Sequence, residues 1–264
     1  MELSTAYRIF ELLLGWSLVL QTLEYLRIGP MDRVSDWQIQ RDEVPLSPPG
    51  IRTVLDAVLR PPRYTALLVL RLCLALWLML AGLGPGGAVL LFAIACVLLM
   101  RWRGAFNGGS DFMTLVGISG LLLAQVVGAL SSPEVGWRAA LWYVTVQTLS
   151  SYFVSGWVKL LRAEWRSGAA LPAFLDSGIY GPLQGNSRYR SPRLARVLSW
   201  GFTVWEGCFV LALINIHWAM AMCVGGVLFH FMVFWHFGLN RFFWAWLVSY
   251  PAVIYCAQWQ VPAG

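Results

Sequence analysis

The chain has 264 residues, of which 58% are apolar and 12% charged, against the roughly 25% charged share of an ordinary soluble domain. A net charge of +6 would suggest nucleic acid in a soluble protein. Here the arginines fall in loops between long apolar stretches, where membrane topology and anionic lipid explain them, so no nucleic-acid partner is expected.

A membrane-crossing helix needs about 20 mostly apolar residues at the helical rise. By that measure the sequence predicts spans near 6–26, 64–82, 85–101, 112–131, 137–161, 194–216, 218–236 and 241–259. The expected fold is all-α: a polytopic integral-membrane bundle of about eight helices, with residues 1–264 forming a single membrane domain. Between the first two spans, Ile51, Val54, Leu55, Val58 and Leu59 share one helical face, flanked by Arg52 and Arg60. That pattern predicts a short interfacial helix. Residues 162–193 mix Gly168, Pro172, Gly178, Gly181, Pro182 and Gly185 with apolar residues, which predicts a re-entrant-like loop shielded from lipid by protein.

Eight spans place the loops 27–63, 101–111, 162–193 and 236–241 on one side, and these with their flanks carry nearly all the arginines. The positive-inside rule puts that face in the cytoplasm, most naturally of a bacterial cell membrane, with both termini outside. The five cysteines lie in apolar stretches without CxxC spacing, and His217, His230 and His236 share no suitable spacing, so no metal is expected.

The chemistry concentrates in the fifth span. Lys159 is the only lysine among nineteen basic residues, and unlike arginine it can lose its proton when desolvated. Thr145, Thr148, Tyr152, Ser155 and Lys159 follow an i, i+3, i+7, i+10, i+14 pattern that puts them on one helix face. A polar stripe is costly against lipid, so it must face protein or a wet cavity. Either interhelical hydrogen bonding or a cavity ending at Lys159 satisfies that demand. Gly156 would let a neighbouring helix come close. Arg71 and Glu206, each mid-span, are candidates for a mutual ion pair, while a protonated Glu206 acting in a cavity is the alternative. Asn107-Gly108-Gly109-Ser110-Asp111 forms the mouth of the fourth span, where Asp111 either caps the helix or joins the site.

The run Tyr152-Phe153-Val154-Ser155-Gly156-Trp157-Val158-Lys159-Leu160, followed by Trp165-Arg166-Ser167-Gly168-Ala169, resembles the signature of the HTTM family. That membrane module is shared with vitamin K-dependent gamma-carboxylase. Asn107 to Asp111, Glu206, and His230 followed by Gly238-Leu239-Asn240-Arg241-Phe242 add to the resemblance. It implies that Lys159 is the base that deprotonates a reduced quinone. Gly109 stands where the carboxylase carries a functional histidine, and the arginine count places the Lys159 end on the cytoplasmic side where the carboxylase site is lumenal. Glutamate carboxylation is therefore not expected.

The resulting expectation is a membrane enzyme acting on a quinone or isoprenoid lipid, with membrane lipid and a lipid-soluble or prenyl substrate as its partners. Lys159, Asp111 and Glu206 are the candidate catalytic residues. Tyr152, Ser155, Asn107, Arg188, Arg190 and His230 are the candidate substrate contacts. Two alternatives remain. In a membrane terpene cyclase, a buried carboxylic acid would start carbocation chemistry and Arg188, Arg190 and Arg193 would hold a diphosphate. The other is a non-enzymatic partner subunit.

Overall fold

The computed structural model describes residues 1–28, 37, 49–102 and 108–258. Among these, all regular structure is helical, with no strand. The helices are α1 (Leu3–Ile28), α2 (Pro49–Val58), α3 (Arg63–Ala81), α4 (Pro85–Arg101), α5 (Gly108–Leu130), α6 (Pro133–Leu161), α7 (Ala163–Ser167), α8 (Ala170–Leu175), α9 (Pro192–Gly207), α10 (Ile216–Phe237), α11 (Asn240–Leu247) and α12 (Tyr250–Gln258). Two short 3-10 turns, Arg188–Arg190 and Phe209–Leu213, complete the set.

Among the described residues, four helices are long and apolar enough to cross a membrane: Leu3–Ile28, Arg63–Ala81, Gly109–Leu130 and Ile216–Phe237. The other four expected spans have a different character. Pro85–Arg101 is apolar but shorter. Helix α6 is 29 residues long, yet its hydroxyl-bearing stripe and its tryptophans lower its hydropathy, and it is not among the four. The expected span 194–216 stops as an α-helix at Gly207 and continues as the 3-10 turn Phe209–Leu213. The expected span 241–259 divides into α11 and α12. Pro251 explains that division, because it offers no N–H to the Leu247 carbonyl and its ring crowds that position, so it suits the first turn of a new helix.

The chain forms two compact units. One holds residues 3–140 and 244–248. Here Ala6, Phe10, Leu14 and Leu18 of α1 are fully enclosed at helical spacing, with the Phe10 ring against Trp137 and Leu14 close to Gly117, while Leu68, Ala75 and Leu78 are buried on α3, which packs on α1. A Cβ on Gly15 would stand 2.9 Å from the Ala75 carbonyl oxygen, so these helices touch backbone to backbone. Arg8 pairs with Glu11 at 3.1 Å and donates to the Met79 carbonyl and to the Leu78 carbonyl, which also accepts from the Gly82 N–H, at the end of α3 where carbonyls run short of helical donors. Amphipathic α2 buries Leu55 and exposes Ile51 and Val54, and Leu59 just beyond it is buried as well. Leu55 and Leu59 pack with Tyr25, Trp37, Tyr64 and Trp102.

The second unit holds residues 141–243 with 249–264 and Met1–Glu2. Its outward surface is strongly apolar: Val154, Trp157, Met220, Val224, Leu228, Met232 and Trp235 are all exposed. Apolar outside and polar inside is the arrangement that a lipid solvent favours.

Candidate functional site

In the second unit, the stripe expected on the fifth span faces inward. Thr145, Thr148 and Tyr152 are buried, Ser155 and Lys159 partly so, while Val146, Phe153, Val154 and Trp157 on the other faces are exposed. The hydroxyl of Thr148 donates to the Val144 carbonyl at 2.7 Å, which satisfies it within its own helix.

Helix α9 meets this stripe at Gly156. A Cβ there would lie 2.4 Å from the Gly207 nitrogen and 2.9 Å from the Thr203 carbonyl oxygen. This close approach brings Glu206 against Ser155 and Lys159. The ammonium of Lys159 pairs with Oε2 of Glu206 and donates to Ser155 Oγ at 2.8 Å. Ser155 Oγ donates to the same carboxylate oxygen at 3.1 Å. The Glu206 side chain is 4% exposed and that of Lys159 16%, so the carboxylate lies behind the amine. The mid-span positions of Arg71 and Glu206 make them candidates for a mutual ion pair, and the structure corrects that pairing. Glu206 belongs to Lys159, and Arg71 donates to Thr22 Oγ1 at 2.7 Å and to Gln21 Oε1.

Lys159 lines a cavity of about 900 Å³, at the upper end of the roughly 300–1,000 Å³ typical of small-molecule sites. Its walls are aromatic and aliphatic, including Trp165, Phe174, Phe202, Phe229 and Phe237. The Lys159 ammonium also stands 5.3 Å from the Trp165 ring centre, a favourable cation–π position.

One wall comes from the glycine- and proline-rich segment after α6. Gly168 adopts a left-handed conformation with φ +85°, and a Cβ there would meet the Arg196 backbone at 2.5 Å, so this turn demands glycine. The segment is then clamped twice. Asp176 accepts from Arg190 at 2.8 and 3.3 Å and from the Leu183 N–H at 2.9 Å. At the end of α10, His236 Nε2 meets the Leu175 carbonyl at 2.9 Å, and the Ile179 N–H donates to the His236 carbonyl at 3.0 Å.

Tyr152 and His230 lie together, though neither is among the residues lining the cavity. The Tyr152 hydroxyl is 2.6 Å from His230 Nε2 and 2.8 Å from the Tyr250 hydroxyl, and its ring stacks on Phe209. Gly226 makes room for this group, since a Cβ there would stand 2.3 Å from the Tyr250 oxygen.

The remaining candidates are dispersed. Asp111 belongs to the other unit, in the first turn of α5, where Gln21 Nε2 donates to its Oδ1 at 2.9 Å. Arg190 is engaged by Asp176 as described, whereas Arg188 is exposed on its 3-10 turn. Asn107 lies outside the described residues. Among the described residues no group of three or more His, Cys, Asp or Glu could hold a metal ion. Two wall residues, Trp165 and His236, were not singled out as site residues from sequence. Trp165 sits within the family-like run, and its place six residues beyond Lys159 was the available signal.

No family model, no curated protein and no solved structure matches this chain.

Proposed function

We propose that this chain is an integral-membrane enzyme acting on a quinone or isoprenoid lipid, with Lys159 as its proton acceptor. One observation carries the reading: the chain's only lysine, backed by a buried carboxylate, faces a lipid-sized aromatic cavity. Kinship with the HTTM family is part of the proposal and rests on the residues quoted above.

The chemistry follows from the pair. Lys159 Nζ can pass its proton to Glu206 Oε2 and take another from a ligand hydroxyl. The pair then holds one more proton, and the ammonium still faces the cavity, where it stabilises negative charge. Ser155 fixes the amine by its 2.8 Å hydrogen bond. Phe202, Phe229 and Phe237 would hold the apolar part of the ligand and exclude water. A reduced quinone, when bound, supplies the acidic hydroxyl and the reducing equivalents. In this reading the arginine-rich loops, and with them the Lys159 end, lie on the cytoplasmic side, which the charge asymmetry of the sequence favours.

The terpene-cyclase reading draws on the same aromatic walls, which suit carbocations. It needs a carboxylic acid at the cavity, and Glu206 is paired to the amine instead.

Purification in native lipid followed by mass spectrometry of the extract tests the proposal. The wild type should carry a quinone or prenyl lipid in near-stoichiometric amount, and Leu198→Trp, which fills the cavity from one of its wall residues, should lose it. Extracts containing only bulk phospholipid in both would count against the reading.

A further inference from the structure

His236 stands in the last turn of α10 on the wall of the cavity. Its Nε2 is 2.9 Å from the Leu175 carbonyl oxygen. A carbonyl oxygen has no hydrogen to give, so Nε2 must carry the proton and donate. In the neutral imidazole that leaves Nδ1 as a bare acceptor. The ring cannot easily turn away. Gly178 packs so close that a Cβ would sit 2.5 Å from Nε2, and the Ile179 N–H holds the His236 backbone carbonyl.

None of the other polar side chains on the described walls is an acceptor alone. The Lys159 ammonium and the Trp165 indole N–H only donate, while the Tyr189 hydroxyl, on a half-exposed side chain, can do either. With Nε2 committed to Leu175, Nδ1 is the acceptor that His236 can offer to a ligand in the cavity it lines. Such an acceptor rewards a ligand that brings its own O–H and penalises one that cannot donate.

We infer that His236 is a specificity residue: its Nδ1 accepts a hydrogen bond from a hydroxyl on the bound lipid, so the cavity selects free alcohols over their ethers. This rests on the lipid-site reading above and adds a recognition rule to it.

Farnesol and farnesyl methyl ether differ only in that O–H, and native mass spectrometry of the purified protein can count each bound molecule. The wild type should bind farnesol about tenfold more tightly than the ether, the factor that corresponds to one ordinary net hydrogen bond. His236→Phe should bring the ratio near one. Loss of the Leu175 contact in that variant weakens both ligands alike and leaves the ratio readable. His236→Gln can keep an N–H for Leu175 while displacing the acceptor, so it should lose the preference too. Equal binding of the two lipids by the wild type, or an undiminished preference in both variants, overturns the role of His236 but not the lipid site. If neither lipid binds, the role of His236 and the lipid site both fall.

Discussion

Gly156 of α6 meets the backbone of α9 so closely that a Cβ on it would stand 2.4 Å from the Gly207 nitrogen. The contact sets the Lys159–Glu206 pair, because Ser155 and Lys159 on one side and Glu206 on the other are carried by the residues flanking these glycines. Gly156→Val should force the helices apart, at the cost of about 1–3 kcal/mol typical of overpacking. Gly156→Ala should do the same in smaller measure. Thermal unfolding in detergent provides the measurement; an unchanged midpoint in the valine variant contradicts the close contact.

Gln21 joins two charges in the other unit. Its amide oxygen accepts from Arg71 while its amide nitrogen donates to Asp111 at 2.9 Å, an arrangement only a neutral amide can complete. Gln21→Leu removes both bonds from a buried site and should cost about 1–3 kcal/mol or more, since charged partners are affected. Gln21→Glu should also destabilise, because it sets a second carboxyl against Asp111. Equal stability of all three proteins would show that the amide is not the bridge.

The Tyr152 hydroxyl serves His230 and Tyr250 together. Tyr152→Phe keeps the stacking on Phe209 but takes a hydrogen bond from each of two buried polar groups, predicting a loss of about 1–3 kcal/mol. His230→Phe should lose stability as well, and the double variant should lose less than the sum of the singles. Strict additivity in that cycle would speak against a shared hydrogen-bond group.

The sequence made the inward stripe legible because a period of 3.6 assigns residues to a helix face. It could not name the partner across the contact. Arg71 and Glu206 both looked like mid-membrane charges, and only the close approach at Gly156 assigns Glu206 to Lys159. Hydropathy also marked apolar segments without seeing their breaks: the stop at Gly207 and the restart at Tyr250 are local backbone events inside apolar runs. The role of His236 was hidden for a further reason. Its acceptor follows from the Leu175 carbonyl, contributed by a segment that has no periodicity to read.

Topology follows from charge. The arginine-rich loops should be cytoplasmic, so Ser187→Cys in intact cells should resist an impermeant thiol reagent and react once the membrane is opened. Efficient labelling in intact cells would place the segment, and the Lys159 end with it, on the opposite side.

The central claim is that Lys159 is there for its proton. A lysine that merely anchors a helix end can be replaced by arginine, which keeps the charge and the reach. A proton acceptor cannot, because guanidinium stays protonated at any accessible pH. The decisive measurement is the quinone and prenyl-lipid pool of cells expressing wild type, Lys159→Arg or Lys159→Ala, with folded yield recorded for each. The account predicts that Lys159→Arg folds in normal yield yet leaves the pool as unaltered as Lys159→Ala does, while the wild type changes it. An arginine variant as active as the wild type would contradict it.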